Sequence, residues 1–158
     1  MSFNDEISKK NIQKVETIEM VKVVKFGGSS LASSQQFKKV GEIIHAEESR
    51  KYIVPSAPGK RFSDDIKVTD MLYECYTAAV KGKDYKPLLE NIKKRYYDII
   101  NELGLDLSLE KEFSIMESGF VGKAGRDYAA SRGEYLNGIV LANYLGFEFI
   151  DAAEVIFF

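Results

Sequence analysis

The sequence is poor in the residues that most often carry chemistry by themselves. Of 158 residues, one is cysteine, Cys75, and one is histidine, His45. A single cysteine excludes an internal disulfide and suits a reducing compartment. Among apolar helical neighbours, Cys75 reads as a small hydrophobe. His45 sits in a charged segment near Glu47 and Glu48, which leaves no basis for a histidine zinc site or a Ser-His-Asp triad. Charge of one sign is missing too: 22 basic residues face 24 acidic ones, a net −2. Without a basic stripe, a nucleic-acid surface is not expected. No apolar run reaches membrane-spanning length, and the first residues lack the apolar core of a signal peptide. The expectation is a soluble, cytoplasmic protein that uses neither membrane nor nucleic acid. Two common phosphate signatures are absent as well. Gly59-Lys60 and Gly122-Lys123 have no glycine five residues upstream, as a Walker A loop needs. Gly27-Gly28 has no third glycine in register for a dinucleotide fold.

What is present is concentrated in residues 21–34, VKVVKFGGSSLASS. Val21, Val23, Val24 and Phe26 make a short apolar run that ends at glycine, which predicts a strand buried on most of its surface. At Gly27-Gly28 the chain must turn, and a ligand can approach the bare backbone closely. Ser33 and Ser34 precede a helical pattern, where serine is expected as an N-cap. A strand, a glycine turn and a helix N-terminus make an anion site, and Lys25 adds a positive charge at its mouth. The stretch reads as a phosphate cradle or, equally on these residues alone, as an ordinary strand-to-helix turn.

The chain is long enough for one compact domain with a real core. Residues 1–19 form a polar leader in which Ile7, Ile12, Val15 and Ile18 allow a frayed helix. A helix is predicted over 34–49 from Phe37, Val40 and Ile44, then a strand at Tyr52, Ile53 and Val54 that ends in the 55–59 turn. This alternation predicts a parallel sheet. In such sheets ligands sit beyond the carboxyl ends of the strands, so the glycine loop and the Ser56 turn should face one crevice. Residues 59–67 read as a solvated loop or a mobile cover. Thr69 reads as the N-cap of a helix running to about 81. Amphipathic helices follow over 85–103, closed by Gly104, and over 108–117. These read as scaffold or a lid-like excursion.

Residues 124–146 form the second informative stretch, helical by pattern and apolar nearly all round towards the end, hence buried. Ser131, Glu134 and Gly138 fall on one face. Glycine inside a helix costs about 1 kcal/mol relative to alanine, so Gly133 and Gly138 suggest the close approach of another backbone or a ligand. Glu134, near the start of a buried segment, needs a partner. Either Arg126, Arg132 or Lys123 supplies a structural ion pair, or Glu134 receives the ammonium group of an amino acid.

Taken together, Lys25-Phe26-Gly27-Gly28-Ser29-Ser30, Ser56-Ala57-Pro58-Gly59-Lys60-Arg61, Val68-Thr69-Asp70 and Ser131-Arg132-Gly133-Glu134 resemble, in order, the motifs of the amino-acid kinase family, and within it the aspartokinases. Residues 147–156 look like the strand that follows that helix in aspartokinases. The resemblance implies an α/β fold, a three-layer sandwich on a mainly parallel sheet, incomplete at its C-terminal side. It implies ATP-dependent phosphorylation of the side-chain carboxylate of L-aspartate to 4-phospho-L-aspartate, the first step towards lysine, threonine and methionine. Lys25 would be the catalytic cation and, with Phe26, Gly27, Gly28 and Ser30, would hold the ATP phosphates; Mg2+ would arrive with the nucleotide. Ser56, Thr69 and Glu134 would bind L-aspartate. A homo-oligomer is also implied.

Aspartokinases are considerably longer, with a second half of the kinase domain and regulatory ACT domains. Residues 20–158 are therefore expected to be the substrate-binding, N-terminal part of the kinase domain, without ACT domains. Two alternatives stand beside this: another kinase of the family, such as glutamate 5-kinase, and a non-catalytic amino-acid-binding fragment.

Overall fold

The computed structural model describes residues 20–157; the leader expected over residues 1–19 lies outside them. Strand β1 spans Lys22–Phe26 and β2 spans Arg50–Pro55. They pair in parallel, with Val23 opposite Tyr52, Val24 opposite Ile53 and Lys25 opposite Val54. Among the described residues this two-stranded sheet is the whole of the sheet structure. The chain is α/β in the β1–helix–β2 unit and helical elsewhere.

The predicted burial of β1 is corrected. Side chains alternate across a strand, and β1 does so here: Val23 is 67% exposed, whereas Phe26 packs against the core. Tyr52 and Val54 of β2 are exposed on the same face as Val23. A β-branched apolar run therefore marked a strand with one covered face.

Helix α1, Ser34–His45, lies between the strands and buries Phe37, Val40 and Ile44, as its spacing requires. Each of these contributes about 1.5–3 kcal/mol by leaving water. A 3-10 turn, Gly28–Leu31, lies between Gly27 and α1, so the strand does not run directly into the helix. Ser33 holds the N-cap position but its side chain makes no capping bond. Ser34 instead donates to Glu102, tying the start of α1 to a residue 68 positions along the chain.

Helix α2 spans Val68–Val80, α3 Lys86–Glu102, α4 Glu110–Val121 and α5 Arg126–Leu145. α3 packs on α1 and α2, and α4 on α2 and α5. The pair is thus scaffold and not a lid. Leu89, Ile92, Tyr96, Ile99 and Ile100 of α3 meet Phe113, Met116 and Phe120 of α4 and Leu136, Val140 and Leu141 of α5 in one core. The Tyr96 and Phe113 rings meet edge to face, with centroids 6.1 Å apart, a geometry that favours the ring quadrupoles. Cys75 is fully buried, and burial pushes its thiol up to about 11. Gly104 follows α3 with φ +68°, the left-handed conformation that glycine takes freely.

The strand expected over residues 147–156 is also corrected. Asp151 accepts from the N–H of Ala153 at 3.0 Å and caps a single helical turn, α6, Ala152–Val155. No described strand offers this segment a ladder of backbone partners, and the cap satisfies the local N–H in its place. No helix among the described residues is long and apolar enough to cross a membrane.

Candidate functional site

Parallel pairing brings the ends of β1 and β2 together, and the chain leaves both in tight turns. The Ser56 N–H donates to the Phe26 carbonyl at 2.9 Å, and the Gly59 N–H donates to the Gly28 carbonyl at 2.8 Å. These bonds press the 56–59 turn onto the glycine loop. The contact leaves no room for side chains: a Cβ on Gly28 would lie 2.8 Å from the Ala57 oxygen, and one on Gly59 would lie 2.6 Å from the Gly28 carbonyl carbon. Gly27 is different, because a Cβ there would meet open space. Close backbone approach requires Gly28 and Gly59, and packing does not require Gly27.

Beyond the strand ends opens a cavity of about 420 Å³, lined by Gly28, Ser29, Ser56, Ala57, Pro58, Gly59, Lys60, Lys67, Thr69 and Glu134. The glycine loop and the Ser56 turn do share one crevice. Four of the residues singled out in the sequence, Gly28, Ser56, Thr69 and Glu134, come together in it. They come from the turns that follow β1 and β2, from α2 and from α5, so the convergence is a product of the fold. Lys25, Phe26, Gly27 and Ser30 are not among the lining residues. Lys25 is exposed on the open face of the sheet opposite Val54. Phe26 is half-buried against the core, and the Ser30 N–H turns back to the Gly27 carbonyl at 3.0 Å.

Two local readings change. Thr69 is not an N-cap: Lys67 holds that position, Thr69 is the second residue of α2, and no side chain caps the helix. The Val68 N–H donates to the Pro58 carbonyl at 3.1 Å, so the 56–59 turn takes up one helix-end donor. Glu134 is not buried. It is exposed towards the cavity and makes no hydrogen bond or ion pair among the described residues. The arginines that could have paired with it stack on rings: Arg126 lies 4.2 Å from the Tyr73 centroid, and Arg132 lies 4.7 Å and 4.5 Å from those of Tyr128 and Tyr135.

The helical glycines have protein neighbours. A Cβ on Gly133 would lie 2.7 Å from that of Ala57, so α5 passes closely over the 56–59 turn. A Cβ on Gly138 would meet the Phe149 ring at 2.7 Å. Ser131 turns its hydroxyl to the Tyr128 carbonyl at 2.8 Å and stays out of the cavity.

Several residues that shape the cavity were given no role in the sequence reading. Lys60 and Lys67 are exposed cations on its wall. Lys60 has one bond, to the Ser63 carbonyl at 3.1 Å. Asn137, fully buried in α5, donates to the Ser56 carbonyl at 2.6 Å; a polar residue inside an apolar helix was the available signal. The 59–67 loop is solvated on its outer side only, since Asp65 is buried beneath it. Chemically, the cavity is lined by one free carboxylate, the hydroxyl-bearing Ser29, Ser56 and Thr69, two ammonium groups and bare backbone at the glycine turn. Groups of both signs suit a small zwitterion lying beside an anion.

No family model matches the chain. Aspartokinase 3 of Bacillus subtilis is 36% identical over 141 residues, 85% of this chain and 31% of that protein. The crystal structure of Clostridium acetobutylicum aspartate kinase is 50% identical with a TM-score of 0.80, over 84% of this chain and 30% of that one. E. coli aspartokinase III, solved in complex with aspartate and ADP, is 17% identical with a TM-score of 0.61 over 80% of this chain and 29% of that one, a likeness of fold alone. The chain spans about three tenths of the length of the relatives it matches. In sequence and in fold, the relatives of this chain are aspartokinases.

Proposed function

We propose that residues 20–158 form the substrate-binding, N-terminal part of the kinase domain of an aspartate kinase. That enzyme transfers the γ-phosphoryl group of ATP to the side-chain carboxylate of L-aspartate, giving 4-phospho-L-aspartate and ADP. The observation that carries the reading is the unpaired Glu134 carboxylate facing Thr69, Ser56 and the Gly28 turn across one cavity. Aspartokinase relatives over most of the chain support it.

In this reading Glu134 takes the α-ammonium group of L-aspartate, and Thr69 and Ser56 hold its polar atoms. The backbone around Gly27 and Gly28, with Phe26 and Ser30 flanking it, receives phosphate oxygens, and Lys25 neutralises charge on the moving group. A carboxylate oxygen of aspartate attacks the γ-phosphorus as the bond to the bridging oxygen of ADP breaks. The nucleophile is already ionised at neutral pH, so no general base is required, which fits a chain with one histidine. What remains is positioning and charge neutralisation. Among the described residues no group of three acidic, histidine or cysteine side chains could enclose a metal. Mg2+ would arrive with the nucleotide, held through its phosphates, as its coordination habits favour. The three-layer sandwich, the cytoplasmic location and the homo-oligomer are parts of the same reading.

The test is an acyl-phosphate assay trapped with hydroxylamine, run on the protein expressed from its intact gene with L-aspartate, L-glutamate or N-acetyl-L-glutamate. Hydroxamate formed with L-aspartate alone is the expected result. Hydroxamate from glutamate would move the assignment to another kinase of the family. L-aspartate binding without hydroxamate would favour a non-catalytic amino-acid-binding protein.

A further inference from the structure

The proposed chemistry leaves several buried polar groups among the described residues without a role, among them Asp65, Arg95 and the Tyr96 hydroxyl. Arg95 is 5% exposed and Asp65 is 9% exposed. Arg95 Nη1 donates to Asp65 Oδ2 at 2.7 Å and to the Ile66 carbonyl at 3.3 Å, and Nη2 donates to the Gly59 carbonyl at 2.9 Å. One guanidinium therefore bonds both ends of the loop from Gly59 to Ile66. Arg61 closes the outer side of the same carboxylate, with Nε 2.8 Å from Oδ2 and Nη2 2.9 Å from Oδ1. Gly59 in turn is where this loop touches the Gly28 loop. The next residue of α3 reaches α5, where Tyr96 Oη donates to the Gly133 carbonyl at 2.8 Å, immediately before Glu134. Two consecutive residues of one scaffold helix thus hold backbone carbonyls in two segments that contribute to the cavity, the 56–59 turn and α5.

A buried ion pair is weak evidence for stability, because desolvation offsets much of the attraction. Its planar fork of donors does give a guanidinium geometric control that an ammonium lacks. We propose that Arg95 is a positioning residue for the cavity: it fixes Gly59, and with it the 56–60 wall, at a set distance from Glu134, and thereby sets the affinity for L-aspartate. The last clause rests on the function proposed above; the fixing of Gly59 does not.

The test compares the chain with its Arg95→Lys and Arg61→Ala variants, by amide hydrogen exchange and by calorimetric titration with L-aspartate. A lysine keeps the charge beside Asp65 but cannot reach Asp65 and Gly59 in the fork geometry. Losing one bond of this charged kind predicts about ten-fold faster exchange at the Gly59 amide and about ten-fold weaker L-aspartate binding. Exchange at Leu136 and Val140 in the core should stay unchanged. Arg61→Ala removes the outer partner of Asp65 and leaves the Arg95–Gly59 bond, so both readouts should stay within about two-fold. Equal acceleration at Gly59 and in the core would overturn the proposal by making Arg95 merely structural. So would unchanged Gly59 protection in Arg95→Lys, or an Arg61→Ala effect as large as that predicted for Arg95→Lys. A wild-type chain that binds no L-aspartate contradicts the proposed function instead, and the exchange comparison still decides whether Arg95 fixes Gly59.

Discussion

Glu134 and Lys25 are exposed, and that decides how their substitution should be read. Exposed side chains without structural partners change stability by about 0.5 kcal/mol or less when replaced. Glu134→Gln should therefore melt like the wild type while its KM for L-aspartate rises at least about ten-fold, since a charge-assisted bond to the ammonium group is lost. Lys25→Met should also melt normally, yet lose about 10² or more in kcat, because the phosphates lack their neutralising charge. Steady-state kinetics beside thermal melts separate the two roles. A KM effect for Lys25→Met with kcat intact would contradict its assignment to the moving phosphoryl group. Asp65 behaves differently. Hydrogen bonding from Arg61, with the Arg95 charge behind it, holds this carboxyl well below the usual carboxylate range against the opposing effect of burial. A depressed folded-state value stabilises the fold fully above the ordinary aspartate value of about 3.9, and the contribution is lost as the pH falls from there through the folded value. Denaturant unfolding between pH 5 and pH 2 should show that acid loss, and Asp65→Asn should flatten it.

Elements differed in how far the sequence disclosed them. Helices α1, α2 and α3 were legible because apolar residues recur at helical spacing and face the core, and α5 because it is apolar nearly all round towards its end and buried there. Their starts were less so. Ser33 and Thr69 look like caps, but neither side chain caps: α1 makes no side-chain cap at all, and the 56–59 turn supplies the carbonyl that meets the start of α2. The β1 run overstated burial, since composition does not reveal whether a second layer covers the other face. Residues 147–156 carry strand-like composition, but a strand needs an edge to pair with, and Asp151 starts a helical turn instead. The 59–67 loop was the largest omission, because the partner that buries Asp65 stands 30 positions away in α3. Gly59→Ala tests the loop-to-loop contact. A methyl 2.6 Å from the Gly28 carbonyl carbon must push backbone apart, which predicts a loss of about 1–3 kcal/mol. Gly27→Ala meets open space and should cost far less. Equal losses for the two would remove the steric account of the turn.

At the scale of the whole molecule, the sequence supplied the order of motifs and the fold supplied their convergence. Gly28, Ser56, Thr69 and Glu134 are spread over more than a hundred residues, and parallel pairing of β1 with β2 and the passage of α5 over the 56–59 turn bring them to one cavity. Lys25 was legible as a cation beside a glycine turn, but its place on the open sheet face was not, because the strand's alternation sets that. The cavity holds the groups proposed to face the substrate, and the relatives are more than three times as long as the stretch matched here. The central claim therefore concerns recognition of L-aspartate by these residues. The most direct measurement is a titration of the chain with L-aspartate followed by backbone amide chemical shifts. Saturable shifts confined to residues around Gly28, Ser56, Gly59, Thr69 and Glu134, and abolished in Glu134→Gln, are predicted. Saturable shifts that cluster elsewhere, or persist unchanged in Glu134→Gln, would contradict the assignment of this cavity.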